Sequence, residues 1–310
     1  MGLFTNSKKG CPVCGNATPK LFPTKVDGTP ICKECSKKIF LPDGKLKEMS
    51  VDEFLQYMNF YEENQKNRDL FFETYKYDAG LFGDKFVVDT AHGLFRKDIS
   101  DGALVFEAAH LKSIRILEDD KPLFEGQKGS FKKIKSDVPE KAERLRNAAA
   151  MFRIQYMEYE QMEQMQRERE ERARERGETI TTRYISRPTF ESELFKNYII
   201  ELTLDHPYWS EMRWEVSAPS FDSERPSVDD YLRDYENKVE EFRALAVNVM
   251  QLIDPNAQMV SEGENNSAPA AQQAPAVNGV EEIKKYKELL DMGIITEEEF
   301  AVKKHELLGL

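Results

Sequence analysis

The chain has no cysteine beyond residue 35, no arginine in its first 47 residues, and no apolar run near the about 20 residues that a bilayer span requires. Its longest uncharged stretch of helical character covers only residues 244–253. The N-terminus lacks the apolar segment of a signal peptide, and the opening MGLFTN places Asn6 where a myristoylation signal needs Ser or Thr. These absences lead us to expect a cytoplasmic protein without a membrane span. Histidine is sparse: His92, His110, His206 and His305 are scattered, and none lies beside a motif that would make it a base or a ligand. There is no nucleophile elbow, phosphate loop, zinc-protease helix or carboxylate motif, so the expectation is a protein that is not an enzyme. Acids outnumber bases 56 to 44, giving a net charge of −12 over 310 residues, which argues against a general polyanion binder. At 32% charged and 40% apolar, the composition is globular, and the length suits about two domains of roughly 150 residues.

The four cysteines carry the most chemistry. Cys11, Cys14, Cys32 and Cys35 form two C-x2-C pairs separated by seventeen residues. Two residues between paired thiolates allow a tight knuckle on one side of an ion, and the loop brings the second knuckle to the other side. The expected cofactor is one structural Zn2+ per chain, because four thiolates leave no open position for water or substrate. Two disulfides or free thiols are the alternatives; a reducing compartment and a segment too small to fold without a staple favour zinc. Pro12, Gly15, Gly28 and Pro30 suit turns around the knuckles. Residues 1–47 hold nine lysines against Asp27, Glu34 and Asp43, a balance of +6 that leaves −18 for the rest. With no arginine, and only Phe4, Phe22 and Phe40 as aromatics, neither bidentate base readout nor a stacking platform is evident.

The remainder reads as an α+β chain. Residues 1–48 are a zinc-ribbon-like domain, and 49–70 a connector whose helix over 51–64 starts at a Ser50/Glu53 capping box. Strand patterns follow at 85–89, 93–96, 104–107, 111–118 and 123–125, then at 180–186, 198–205 and 212–217. An amphipathic helix begins at a Ser227/Asp230 capping box, repeats Val228, Tyr231, Tyr235, Val239, Phe242, Ala246, Val249 and Ile253, and stops at Asp254-Pro255. Several short antiparallel strands closed by one helix are the order expected of a pleckstrin-homology-like (PH-like) barrel or half-open sandwich over 71–256. Residues 139–176 lack Pro and Gly after Pro139 and predict one inserted helix about 57 Å long. Its first half carries an apolar stripe; its second half, with five Arg and five Glu, predicts a solvated arm that projects or pairs with another copy. Lys132, Lys133 and Lys135 read as a solvated loop. His206, Tyr208, Trp209 and Trp214 form an aromatic patch suited to strand-edge packing or to recognition.

Residues 257–279 predict a flexible linker, its core from 261 rich in Ala, Pro, Asn and Gln. Residues 280–310 predict a helical hairpin whose seam of Ile283, Tyr286, Leu290, Ile294, Phe300 and Leu307 is too small to stand alone, and so interacts. The stretch EEIKKYKELLDMGIITEEEFAVKKHELLGL resembles a SHOCT domain, a short C-terminal module of many bacterial and phage proteins. That resemblance implies a bacterial, archaeal or phage origin and a role in oligomerisation or partner binding, with no catalytic residues. CPVCG and ICKECSKKI resemble a four-cysteine bacterial domain of unknown function, and FVVDTAHGLFRK with IRILEDDKPLFEG resembles the PH-like segment that accompanies these modules. Together these readings predict a zinc-binding modular adaptor whose partner is a protein or a second copy. Lipid-surface binding by the PH-like body and nucleic-acid binding by the basic ribbon are the competing expectations.

Overall fold

Short hairpins fixed by turn chemistry begin the computed structural model, which describes residues 5–78, 85–97, 100, 102–179 and 185–261. The chain divides into two compact units, Met1–Gly263 and Glu264–Leu310, and all described residues lie in the first. The hairpin predicted over 280–310 therefore lies outside the described residues. In the head, β1 (Thr5–Gly10) pairs antiparallel with β2 (Ala17–Pro19), and β3 (Lys25–Val26) with β4 (Thr29–Pro30). Asp27 and Gly28 join the second pair with φ of 45° and 73°. That double left-handed geometry is a type I′ turn, which Asp-Gly adopts at low steric cost. Two one-turn helices follow, α1 (Lys33–Ser36) and α2 (Lys45–Glu48).

Helix α3 (Val51–Glu63) begins at the predicted capping box: Ser50 Oγ accepts the Glu53 N–H at 3.3 Å, and Glu53 accepts the Ser50 N–H at 2.8 Å. It is more than a connector. Phe54, Tyr57, Met58 and Tyr61 form a buried stripe, and the Tyr57 hydroxyl accepts from Phe40 N–H while donating to the Lys38 carbonyl, both at 2.8 Å. Buried Asn64 separates α3 from α4 (Gln65–Leu70) and bonds Val105 twice, donating to its carbonyl at 2.6 Å and accepting from its N–H at 3.0 Å. The helix thus joins the head's underside to the body.

The body contains two sheets, antiparallel but for one pair at the end of the second. The first has the order β5 (Tyr75–Asp78), β6 (Lys85–Asp89), β7 (Leu94–Arg96), β8 (Phe106–Glu107). After a 3₁₀ turn at Ala108–His110 come β9 (Leu111–Glu118), β10 (Lys121–Gln127) and β11 (Ser130–Lys133), then α5 (Val138–Arg144), α6 (Arg146–Glu175), β12 (Asn197–Leu204), β13 (Glu211–Ser217), α7 (Val228–Ile253) and β14 (Val260–Ser261). The second sheet has the order β13-β12-β9-β10-β11-β14, with β14 parallel to β11. In β12 the period of two buries Tyr198, Ile200, Leu202 and Leu204. Helix α7 buries the predicted stripe from Val228 to Val249, with Phe242 against Tyr198 at 4.6 Å and Tyr77 at 6.0 Å between ring centroids. Gly126 permits this approach: a Cβ there would lie 2.5 Å from Met250 Sδ. The sheets also touch through Phe86 and Trp214, at 5.6 Å.

Several expectations need correction. The architecture is mixed α/β with several sheets and no closed barrel, because the chain changes sheet at the 3₁₀ turn and no described strand pairs across the two. The 139–176 helix is two helices: Leu145 N–H bonds the Ala142 carbonyl at 3.0 Å, a tightened turn between α5, which buries Val138 and Ala142, and α6. Helix α6 spans about 45 Å at 1.5 Å per residue. Lys132 and Lys133, read as loop, lie in β11, and Lys135 pairs with Glu140 at 2.9 Å. The strand predicted over 180–186 has no regular structure at its described residues, 185 and 186; residues 180–184 lie outside the description. The linker predicted from 257 begins inside the body, since Val260 and Ser261 form β14. At α7 only half of a capping box exists: Ser227 Oγ accepts the Asp230 N–H at 3.2 Å, and the short Asp side chain does not reciprocate.

Candidate metal centre

Each C-x2-C segment folds into a knuckle for a local reason. In the first, Gly15 N–H bonds the Cys11 carbonyl and Cys11 N–H the Asn16 carbonyl, both at 2.8 Å, with Gly15 at φ 73° closing the reversal. In the second, Cys32 is the N-cap of α1: its Sγ accepts the Cys35 N–H at 3.4 Å, and its carbonyl accepts the Ser36 N–H at 3.0 Å. Ile31 N–H bonds the Thr24 carbonyl, tying this knuckle to the β3–β4 hairpin, while Val26 and Ile31 are buried beneath it.

The two knuckles meet. The four sulfurs lie within 4.8 Å of one another, with Cys14–Cys32 at 3.5 Å and Cys14–Cys35 at 3.6 Å. A disulfide needs about 2.05 Å, so these are free thiols. Metal–sulfur bonds of about 2.3 Å in a tetrahedron give an edge of about 3.8 Å, which these separations approach. The donor set therefore fits a metal ion held by all four cysteines. Cys11, Cys32 and Cys35 are buried, and Cys14 faces solvent.

Crowding perturbs the thiols unequally. Burial pushes Cys11 up, but the backbone N–H groups of Cys32, Cys14 and Val13 outweigh it and bring the thiol down to about 7. Burial pushes Cys35 up, reinforced by the Cys32, Cys14 and Cys11 thiols. At Cys14 the backbone N–H of Asn16 and the Cys35 thiol lower the value, yet desolvation and the Cys32 and Cys11 thiols leave it raised. Four thiolates this close need a cation among them, because each ionisation opposes the next. A metal ion held by the four sulfurs would supply that charge.

The other residues singled out in the sequence do not converge on a second centre among the described residues. Ile283, Tyr286, Leu290, Ile294, Phe300 and Leu307 lie outside them. His92 Nδ1 contacts the buried Asp89 carboxylate at 2.8 Å, and the His110 and His206 rings meet edge-on at 4.9 Å. The aromatic patch serves internal packing: Tyr208 meets Tyr57 at 5.2 Å, and Trp209 Nε1 donates to the Phe40 carbonyl at 3.1 Å. This docking of head on body was missed from sequence, although the α3 stripe signalled a partner for that face. Beside the knuckles a cleft of about 460 Å³ is lined by Asn16, Ala17, Pro19, Leu21, Cys32, Lys33 and Glu34, next to a Phe22 that is 98% exposed.

Residues 281–308 match the family described as SHOCT, Short C-terminal domain. No curated protein and no solved structure matches the chain. Among the described residues no helix is long and apolar enough to cross a membrane.

Proposed function

We propose that this protein is a non-catalytic, zinc-stabilised adaptor in which the cysteine head and an open PH-like body carry a tethered SHOCT module that engages a protein partner or another copy. The observation that carries the reading is the closed set of four thiols. A metal held by Cys11, Cys14, Cys32 and Cys35 has no position left for substrate, so its service is to hold the head's fold. Zinc suits the all-thiolate tetrahedral set, being borderline-soft and without redox chemistry. The interaction role is supported by the family match at 281–308, which follows a stretch of linker composition. Exposed Leu21 and Phe22 beside the metal cleft add an apolar surface on the head.

Native mass spectrometry of the full chain and of a chain ending at Gly279 tests both halves. One zinc per chain in both, with partner binding or subunit count reduced in the shortened chain, is the expected result. A metal-free protein would remove the adaptor's head. Indifference to the truncation would remove the role of the C-terminal module.

A further inference from the structure

Most exposed apolar side chains of this protein stand among charges of both signs. Leu70 and Phe72 share their stretch with Arg68, Asp69 and Glu73, and the exposed methionines of α6 lie among its Arg and Glu residues. Leu21 and Phe22 are different. They are 63% and 98% exposed, the one adjacent pair among the large apolar side chains exposed in the described residues. The bend that carries them joins β2 to β3 between Pro19 and Pro23, and Phe22 has φ of 49°. A bulky residue seldom takes that left-handed conformation, and here it accompanies a ring left almost wholly in water.

The charge around this tip has one sign. No acidic residue occurs in the first 26 positions, which hold Lys8, Lys9, Lys20 and Lys25. Lys20 and Lys25 are exposed and lie within three residues of the tip, and exposed Lys33 lines the same cleft as Leu21. Glu34, the acid in that cleft, is paired with Lys37 at 3.0 Å, and Asp27 stands in the turn beyond Val26. The balance of residues 1–47 is +6, or +4 once four thiolates and one divalent ion are counted, against −18 for the rest of the chain. A chain so polarised turns its head toward an anionic surface and its body away.

We propose that the head docks on an anionic lipid surface, with Leu21 and Phe22 entering the interfacial layer and Lys20, Lys25 and Lys33 meeting the headgroup phosphates. Burial of an apolar tip and attraction of nearby lysines to anionic lipid add together, and reversible attachment takes both because each alone is weak. A lipid interface also accepts a protruding apolar pair without offering a matching pocket. Nucleic acid suits the same charge less well. Stacking along a strand uses successive aromatic faces and base readout uses arginine forks, whereas the tip offers one ring, an aliphatic neighbour and no arginine. The contact belongs to the head and not to the acidic PH-like body. It extends the adaptor reading to a partner of the head itself and stands without residues 281–308.

Flotation of the full-length, zinc-loaded chain tests the docking, with vesicles of phosphatidylcholine alone and of phosphatidylcholine mixed with phosphatidylglycerol, each at low and high salt. The variants are L21S/F22S and K25E/K33E, and zinc content with circular dichroism checks that each is folded. The expected result is flotation with the anionic vesicles only, weakened by salt, and a partition constant about ten-fold lower in each variant. In a third variant, F22W, lipids brominated on their acyl chains should quench the added tryptophan. A chain that ignores anionic vesicles would overturn the proposal, as would equal binding to phosphatidylcholine alone or variants that float like wild type. Salt-sensitive binding of duplex DNA that K25E/K33E abolishes, without flotation, would overturn it in favour of nucleic acid. A chain ending at Gly279 should float as the full chain does. Loss of flotation on that truncation would move the contact to the C-terminal module and overturn the proposal, whereas failure of the module to bind a partner leaves it standing.

Discussion

The head and the body are built on different scales of burial. Residues 10–48 bury Val26 and Ile31 under three of their four cysteines, whereas the body buries Phe124, Tyr198, Ile200, Phe242 and some thirty other apolar side chains between two sheets and α7. At about 25 cal/mol per Å² the few side chains of the head offset little of the entropy of ordering its loops, which is why the proposed metal belongs with the head. The interface between them is not idle, since Tyr57, Tyr208, Trp209 and Phe40 lock the head onto α3. The lesson is that a metal centre can be local in its chemistry while its fold is anchored by a neighbouring core.

The largest effect that would break this comparison is loss of the metal. Metal binding to such sites is worth on the order of 10 kcal/mol, and most of it is folding free energy. Cys32→Ser, or strong chelation, should abolish hydrogen-exchange protection at Val26, Ile31 and Cys35 while Phe124, Ile200 and Phe242 keep theirs. Simultaneous melting of both sets would show that the head is integral to the body. The converse variant is Phe242→Ala, which empties a fully buried site against Tyr198 and Tyr77. It should cost about 3–5 kcal/mol in denaturant melts of the body with metal stoichiometry intact.

Smaller changes sharpen the boundary. Gly126→Ala should cost about 1–3 kcal/mol, because the added methyl meets Met250 and Ile114 in a packed core. Asn64→Ala removes both bonds to Val105 and should cost about 1–3 kcal/mol, read in the same melts. Titration gives the finest probe. Burial raises buried Glu118 above its ordinary value near 4.5, even though Ser136 and Tyr235 each donate to it at 2.6 Å. Because the fold holds this proton more tightly than the unfolded chain, its contribution is full below pH 4.5 and is lost as pH rises through the folded value. His206 runs the other way. Burial, with His110 beside it, lowers it to about 4, so its contribution is full above pH 6.5 and is lost as pH falls toward 4. Stability profiles of Glu118→Gln should therefore lose the alkaline-going decline and expose the acid-going one. A profile identical to wild type would mean that the Glu118 proton does not contribute.

The sequence showed elements best where a period or a cap was strong. The α3 capping box, the α7 stripe and the alternation in β12 all appear at or within a residue of their expected places. The knuckle spacing likewise identified the four cysteines that the fold brings together. Less legible were features decided by distant partners. Strand β11 was hidden by Lys132 and Lys133, because a strand next to the short edge strand β14 can expose polar side chains while still pairing its backbone. The break at Leu145 leaves no Pro or Gly signature; it falls where α5, packed beside α7, buries Val138 and Ala142. The open arrangement of the two sheets depends on a 3₁₀ turn formed by Ala-Ala-His, which no turn residue announces.

The most direct test of the central claim, that Cys11, Cys14, Cys32 and Cys35 together hold one zinc, is X-ray absorption at the zinc edge on the purified full-length chain. The account predicts a single shell of four sulfurs at about 2.3 Å. A shell containing nitrogen or oxygen ligands, or a protein folded in its head without metal, would contradict it.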